Sequence, residues 1–102
     1  MEVIITYRHI ESSPGLQTHV ETKLEKLKKF FIRPIKIHVI FNVENSRHVA
    51  EITLSEDHNA FTSKDDGHDM YHCLDRAIDK MEVQLRKHKE KVKNHHGKGL
   101  KT

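Results

Sequence analysis

Asp65-Asp66, His68 and His72, Cys73, and the cations Arg76, Lys80, Lys87 and Lys91 crowd into the last third of this 102-residue chain. Each group suggests a different chemistry. Paired carboxylates suit acid–base work, but on a turn just before a helix they serve better as caps, and Asp66 is the expected helix cap. His68 and His72 stand four apart at a helix start, a spacing that can hold zinc. No third ligand is forced nearby, Cys73 and Asp75 being no more than candidates, so no metal is expected. The ten histidines read instead as exposed groups whose charge rises in mild acid. Cys73 lacks a local cation cluster and reads as a half-buried, inert thiol. Gly97-Lys98-Gly99 has no strand or helix context for cradling phosphate. No Ser or Cys nucleophile has a recognisable setting. The chain therefore reads as non-enzymatic, with no catalytic residue, no cofactor and no small-molecule substrate. A metal-dependent enzyme built on His68, His72 and an acid is kept as a rival.

The cations carry the stronger signal. At about 100° per residue, Arg76, Lys80, Lys87 and Lys91 fall on one narrow stripe of a helix. Met70, Leu74, Ala77, Ile78, Met81 and Leu85 form its apolar face. Asp75, Asp79, Glu82 and Glu90 fall on another side. Up to residue 68 the chain holds nine basic and ten acidic residues; from 69 onward it holds nine and five. From Arg86 the balance is seven to one, although the whole chain nets only +3. Lysines near a helix C-terminus are favoured by the macrodipole, which accounts for part of this excess. Cations that continue past the apolar face suit a polyanion. Lys80, Lys87, Lys89 and Lys91 are the expected phosphate contacts, with Arg76, Arg86, Lys23 and Lys26 behind them. Glu21 and Glu25 dilute the lysines of the earlier helix.

The elements that must position these groups are legible. Residues 2–8 are β-branched and aromatic and read as a strand, Val3 and Ile5 on one face and Ile4 and Thr6 on the other. Ser13 caps a helix that opens with Pro14 and carries the stripe Leu16, Val20, Leu24, Leu27 and Phe31. Pro34 ends it. Residues 35–43 alternate, with Ile35, Ile37, Val39, Phe41 and Val43 inward. A turn at 44–46 leads to a strand over 48–55 that buries Ala50, Ile52 and Leu54. A turn at 56–59 leads to a short strand over 60–64, broken by Asp65-Asp66-Gly67. The long helix follows, and Tyr71 at its start is expected to lie on the sheet edge rather than stack on a base. The fold class is α+β in the order β-α-β-β-β-α. It is a four-stranded mixed sheet with two helices on one face, like a double-stranded-RNA-binding domain. Residues 1–93 form one domain, and 94–102 a basic, disordered tail. One cysteine fits a reducing compartment. No apolar run spans a bilayer and no secretory signal is seen, so a cytoplasmic protein is expected, with no membrane partner.

Particular residues suggest more than this order. Asp69-Met70-Tyr71, Ala77-Ile78-Asp79-Lys80, Gln84-Leu85 and Lys87-His88-Lys89 together resemble the closing helix of the bacterial ribosome hibernation promoting factor family. Glu11-Ser12-Ser13-Pro14 and Lys23-Leu24-Glu25-Lys26-Leu27 resemble that family's first helix. The resemblance covers essentially the whole chain and is to the short form, related to ribosome-associated inhibitor. Val83 stands where the family often has a basic residue, which leaves Arg76 or Arg86 to substitute.

The resemblance implies binding to the small ribosomal subunit, on 16S rRNA, in the channel used by mRNA and by A- and P-site tRNAs. It implies inhibition of translation by occupancy, and promotion of inactive 100S dimers of 70S ribosomes in stationary phase, alongside ribosome modulation factor. A generic double-stranded RNA-binding module is the alternative.

Overall fold

In the computed structural model the chain runs β1 (Glu2–Arg8), α1 (Pro14–Leu24), a 3-10 segment (Glu25–Phe30), β2 (Lys36–Glu44), β3 (Arg47–Glu56), β4 (Asn59–Gly67) and α2 (Met70–Lys101). The structure describes the backbone of residues 1–101 and the side chains of residues 1–90. Lys91 and the tail 94–102 thus lie outside the described side chains, and the expected tail boundary stays an expectation.

The sheet order is β1-β2-β3-β4. β1 pairs parallel to β2, as a strand–helix–strand connection requires, and β2, β3 and β4 pair antiparallel. Asn45 and Ser46 link β2 to β3 with φ of 50° and 65°. Positive φ at both central residues matches the right-handed twist of the flanking strands.

Alternation decides which face is dry. Ile37, Val39 and Phe41 of β2 and Ala50, Ile52 and Leu54 of β3 are buried, with Val3, Ile5 and Tyr7 of β1 against them. Leu16, Val20 and Leu24 of α1 and Leu74, Ile78 and Met81 of α2 close the same core from one side. Their burial is the main stabilising term, on the order of 1.5–3 kcal/mol for each large side chain. The opposite sheet face carries polar contacts such as Thr6 Oγ1 with His38 Nε2 at 2.7 Å.

Several local expectations are corrected. The first helix ends as α-helix at Leu24 and tightens into 3-10 turns, which still bury Leu27 completely. Phe31 is no longer helical, with φ −131° and ψ 137°. β4 does not break at Asp65 but runs to Gly67. Asp65 and Asp66 are strand residues opposite Ala50 and Val49, because Arg76 and Arg47 neutralise them there. The cap of α2 is therefore Asp69, not Asp66: Tyr71 N donates to Asp69 Oδ1 at 2.9 Å. Cys73 is fully buried rather than half-buried.

Candidate nucleic-acid interface

β4 is an edge strand, so its backbone groups that do not face β3 need other partners. Side chains of α2 supply three. Arg76 Nη2 donates to Asp66 O at 3.3 Å, Lys80 Nζ to Lys64 O at 2.9 Å, and Gln84 Nε2 to Thr62 O at 2.7 Å. The match has a simple cause. Four residues of helix rise about 6 Å, and two residues of strand rise about 6.7 Å. Every fourth helix side chain therefore meets every second strand carbonyl. One step further, His88 sets its ring edge-on to Phe61, with centroids 5.1 Å apart. Gln84 was missed in the sequence reading; its i+4 spacing from Lys80 is the signal that could have found it.

The same flank carries charge. Arg76 Nε also donates to the Asp65 carboxylate, and Lys80 Nζ lies 3.5 Å from Asp65 Oδ1. Burial pushes the Asp65 carboxyl up, but the Arg76 hydrogen bond, the Asp66 N–H and Lys80 together hold it below the usual carboxylate range. Arg76 and Lys80 remain half exposed and keep donors for a ligand. Lys87, almost two full turns past Lys80, faces the same way and has no ion-pair partner among the described residues.

The other flank of α2 faces α1 and is a closed ion-pair seam. His19 Nε2 donates to Asp75 at 2.7 Å, with Lys23 Nζ 3.9 Å from the same oxygen. Lys26 Nζ donates to Asp79 at 2.8 Å and lies 3.9 Å from Glu82. The Asp79 hydrogen bond outweighs desolvation and raises the Lys26 ammonium above its ordinary range. Lys29 and Arg86 approach Glu82 at 3.5 and 3.8 Å. Three of the four acids that sequence placed on another side of the helix, Asp75, Asp79 and Glu82, thus serve α1 and the 3-10 segment. Lys23, Lys26 and Arg86 sit among carboxylates, apart from Arg76, Lys80 and Lys87. Lys89, about half a turn from Lys80, does not join that flank either.

Tyr71 does not lie on the sheet edge. Its ring meets His19 edge-on at 5.1 Å. Its hydroxyl crosses Gly15 so closely that a Cβ there would stand 2.5 Å from Oη. Cys73 donates its thiol to His48 O at 3.4 Å, and desolvation raises its pKa, the setting of an inert thiol. Among the described residues no group of three or more His, Cys, Asp or Glu side chains is gathered to hold a metal ion. No helix among them is long and apolar enough to cross a membrane.

The arrangement is a rigid helix whose one flank is fastened to a sheet edge and presents Arg76, Lys80 and Lys87 to solvent. Residues 3–93 match the family model described as sigma 54 modulation protein / S30EA ribosomal protein. The chain belongs to this family, that of the ribosome hibernation promoting factors. It is 35% identical to the ribosome hibernation promoting factor of Salmonella typhimurium over 93% of this chain and 100% of that protein. It is also 35% identical to the Bacillus subtilis ribosome hibernation promotion factor, over 90% of this chain but 50% of that longer protein. The fold is similar to a ribosomal subunit interface protein from Coxiella burnetii, with TM-score 0.77 and 26% identity over 88% of this chain and 99% of that one. The Thermus thermophilus Protein Y N-terminal domain shares the fold at TM-score 0.78, 22% identity, and 85% and 98% coverage. Hibernation factors are ribosome-associated proteins, not enzymes.

Proposed function

We propose that this hibernation-family protein works in the cytoplasm by binding the small ribosomal subunit on 16S rRNA. There it occupies the channel of mRNA and the A- and P-site tRNAs, and so inhibits translation. It further promotes inactive 100S dimers of 70S ribosomes in stationary phase, together with ribosome modulation factor. The observation that carries the reading is the solvent-exposed flank of Arg76, Lys80 and Lys87, the first two of them pinned to β4. Folded rRNA is recognised largely through its phosphates and its shape. Arg76 and Lys80, already fastened, meet such a surface with little loss of side-chain freedom.

Cosedimentation with purified 70S ribosomes tests the reading. The triple variant Lys80→Gln, Lys87→Gln, Lys91→Gln is expected to bind at least about tenfold more weakly and with a flatter salt dependence. Its unfolding should stay cooperative. Unchanged cosedimentation rejects the cation assignment. Ribosomes that bind this protein and still accept mRNA and tRNA at full occupancy reject the channel. Sucrose gradients of starved cells with and without the protein decide the 100S step.

A further inference from the structure

Asp65 stands in the middle of the flank assigned above to phosphate. Its side chain is 14% exposed and touches both cations: one oxygen takes Arg76 Nε and the other lies 3.5 Å from Lys80 Nζ. Neither cation needs Asp65 to find its place. Arg76 is already positioned by Asp66 O and Lys80 by Lys64 O. Two anionic oxygens shared between a guanidinium and an ammonium form the contact that a phosphodiester also makes. We propose that Asp65 is an internal counter-ion that competes with RNA phosphate for Arg76 and Lys80, so that this flank engages RNA by exchanging a carboxylate for a phosphate.

The neighbouring residue repeats the arrangement, since Asp66 holds Arg47 on the outer side of the same strand. Lys87 is different. With no ion-pair partner among the described residues, it can meet phosphate without an exchange. The flank would then bind a stray polyanion mainly through Lys87. It would commit Arg76 and Lys80 only where an RNA surface holds a phosphate in the position of the Asp65 carboxylate. Asp65 thus trades affinity for selectivity, because each wrong partner must displace it without a well-placed phosphate in return.

The inference rests on the rRNA-binding reading, so the test carries a separate arm for that reading. Binding of small ribosomal subunits is measured across a salt series for the unaltered protein, Asp65→Asn and Lys87→Gln. A 20-nucleotide RNA duplex serves as the non-cognate probe. Asp65→Asn is expected to bind the duplex about two- to fivefold tighter at low salt, with a log–log salt slope steeper by about one. Its gain on small subunits should be smaller, so selectivity falls. Lys87→Gln is expected to weaken both. If Lys87→Gln weakens binding but Asp65→Asn binds the duplex equally or less well, Asp65 organises the flank rather than competing, and the proposal is overturned. If Lys87→Gln changes nothing, the rRNA-binding reading itself fails and takes the proposal with it. Asp65→Ser, which also removes the charge from an otherwise intact strand, must behave as Asp65→Asn does. Opposite results for the two variants would likewise overturn the proposal.

Discussion

At the scale of single residues, the carboxylates of β4 determine how the cations are presented. Asp65 and Asp66 are both held below the usual carboxylate range. For Asp65, burial works against this and is outweighed only by Arg76, the Asp66 N–H and Lys80 together; for Asp66, the Arg47 hydrogen bond dominates. The sign follows directly. A carboxyl whose folded pKa lies below its unfolded value stabilises the fold above the unfolded pKa, and that stability is lost as pH falls through the folded one. Stability should therefore decline on acidification below about pH 4. The double variant Asp65→Asn, Asp66→Asn should show a shallower decline in urea titrations at a series of pH values. An equally steep acid limb would mean that these pairs do not matter to stability. Ser63, the one buried polar side chain among the described residues, belongs to this scale too. Its hydroxyl donates to Ala77 O at 2.7 Å and lets α2 sit close over β4.

At the scale of elements, two devices keep the sheet in register and closed. The first is the turn at Asn45-Ser46, where Ser46 holds φ 65°. A side chain there costs about 1 kcal/mol, which a glycine avoids against a larger entropy loss on folding. Ser46→Gly is expected to raise Tm by about 2–4 °C in a thermal melt. A lower Tm would contradict the turn geometry. The second device is the row Arg76, Lys80 and Gln84 along β4. An unpaired strand edge invites pairing with another chain. Gln84→Ala leaves the Thr62 carbonyl without its donor. It should cost about 1 kcal/mol in denaturant unfolding and increase self-association in light scattering. Monodisperse protein of unchanged stability would show that solvent serves that carbonyl equally well.

At the scale of the whole molecule, two flanks of one helix have separate electrical roles. The α1 side pairs Lys23, Lys26, Lys29 and Arg86 with Asp75, Asp79 and Glu82. The β4 side presents Arg76, Lys80 and Lys87. If all eight cations of the sequence reading met phosphates, the log–log salt slope of ribosome binding would approach about −7, at −0.9 per phosphate. Three of the eight, Lys23, Lys26 and Arg86, are already paired on the α1 side, so five remain and a slope nearer about −4.5 is expected from filter binding at several salt concentrations. A slope near −7 would mean that the seam opens on the ribosome and that its lysines also reach rRNA.

The order β-α-β-β-β-α, the inward residues of β2 and β3, the capping by Ser13 and the apolar face of α2 were all legible in one dimension. Each follows from a local rule of period, capping or chain stiffness, and in each the buried set is large enough to leave a pattern. The family was legible too, through residues such as Asp69-Met70-Tyr71 that no periodicity explains. The extent of β4 was not: Asp65-Asp66-Gly67 reads as a breaker until Arg76 and Arg47 arrive from distant positions to neutralise the acids. Nor could Lys26 be told from Lys80 by residue type, since both are lysines on amphipathic segments. Whether a cation is spent on a carboxylate or left to face solvent depends on which side chains converge from other elements, and only the packed sheet and helices bring those together.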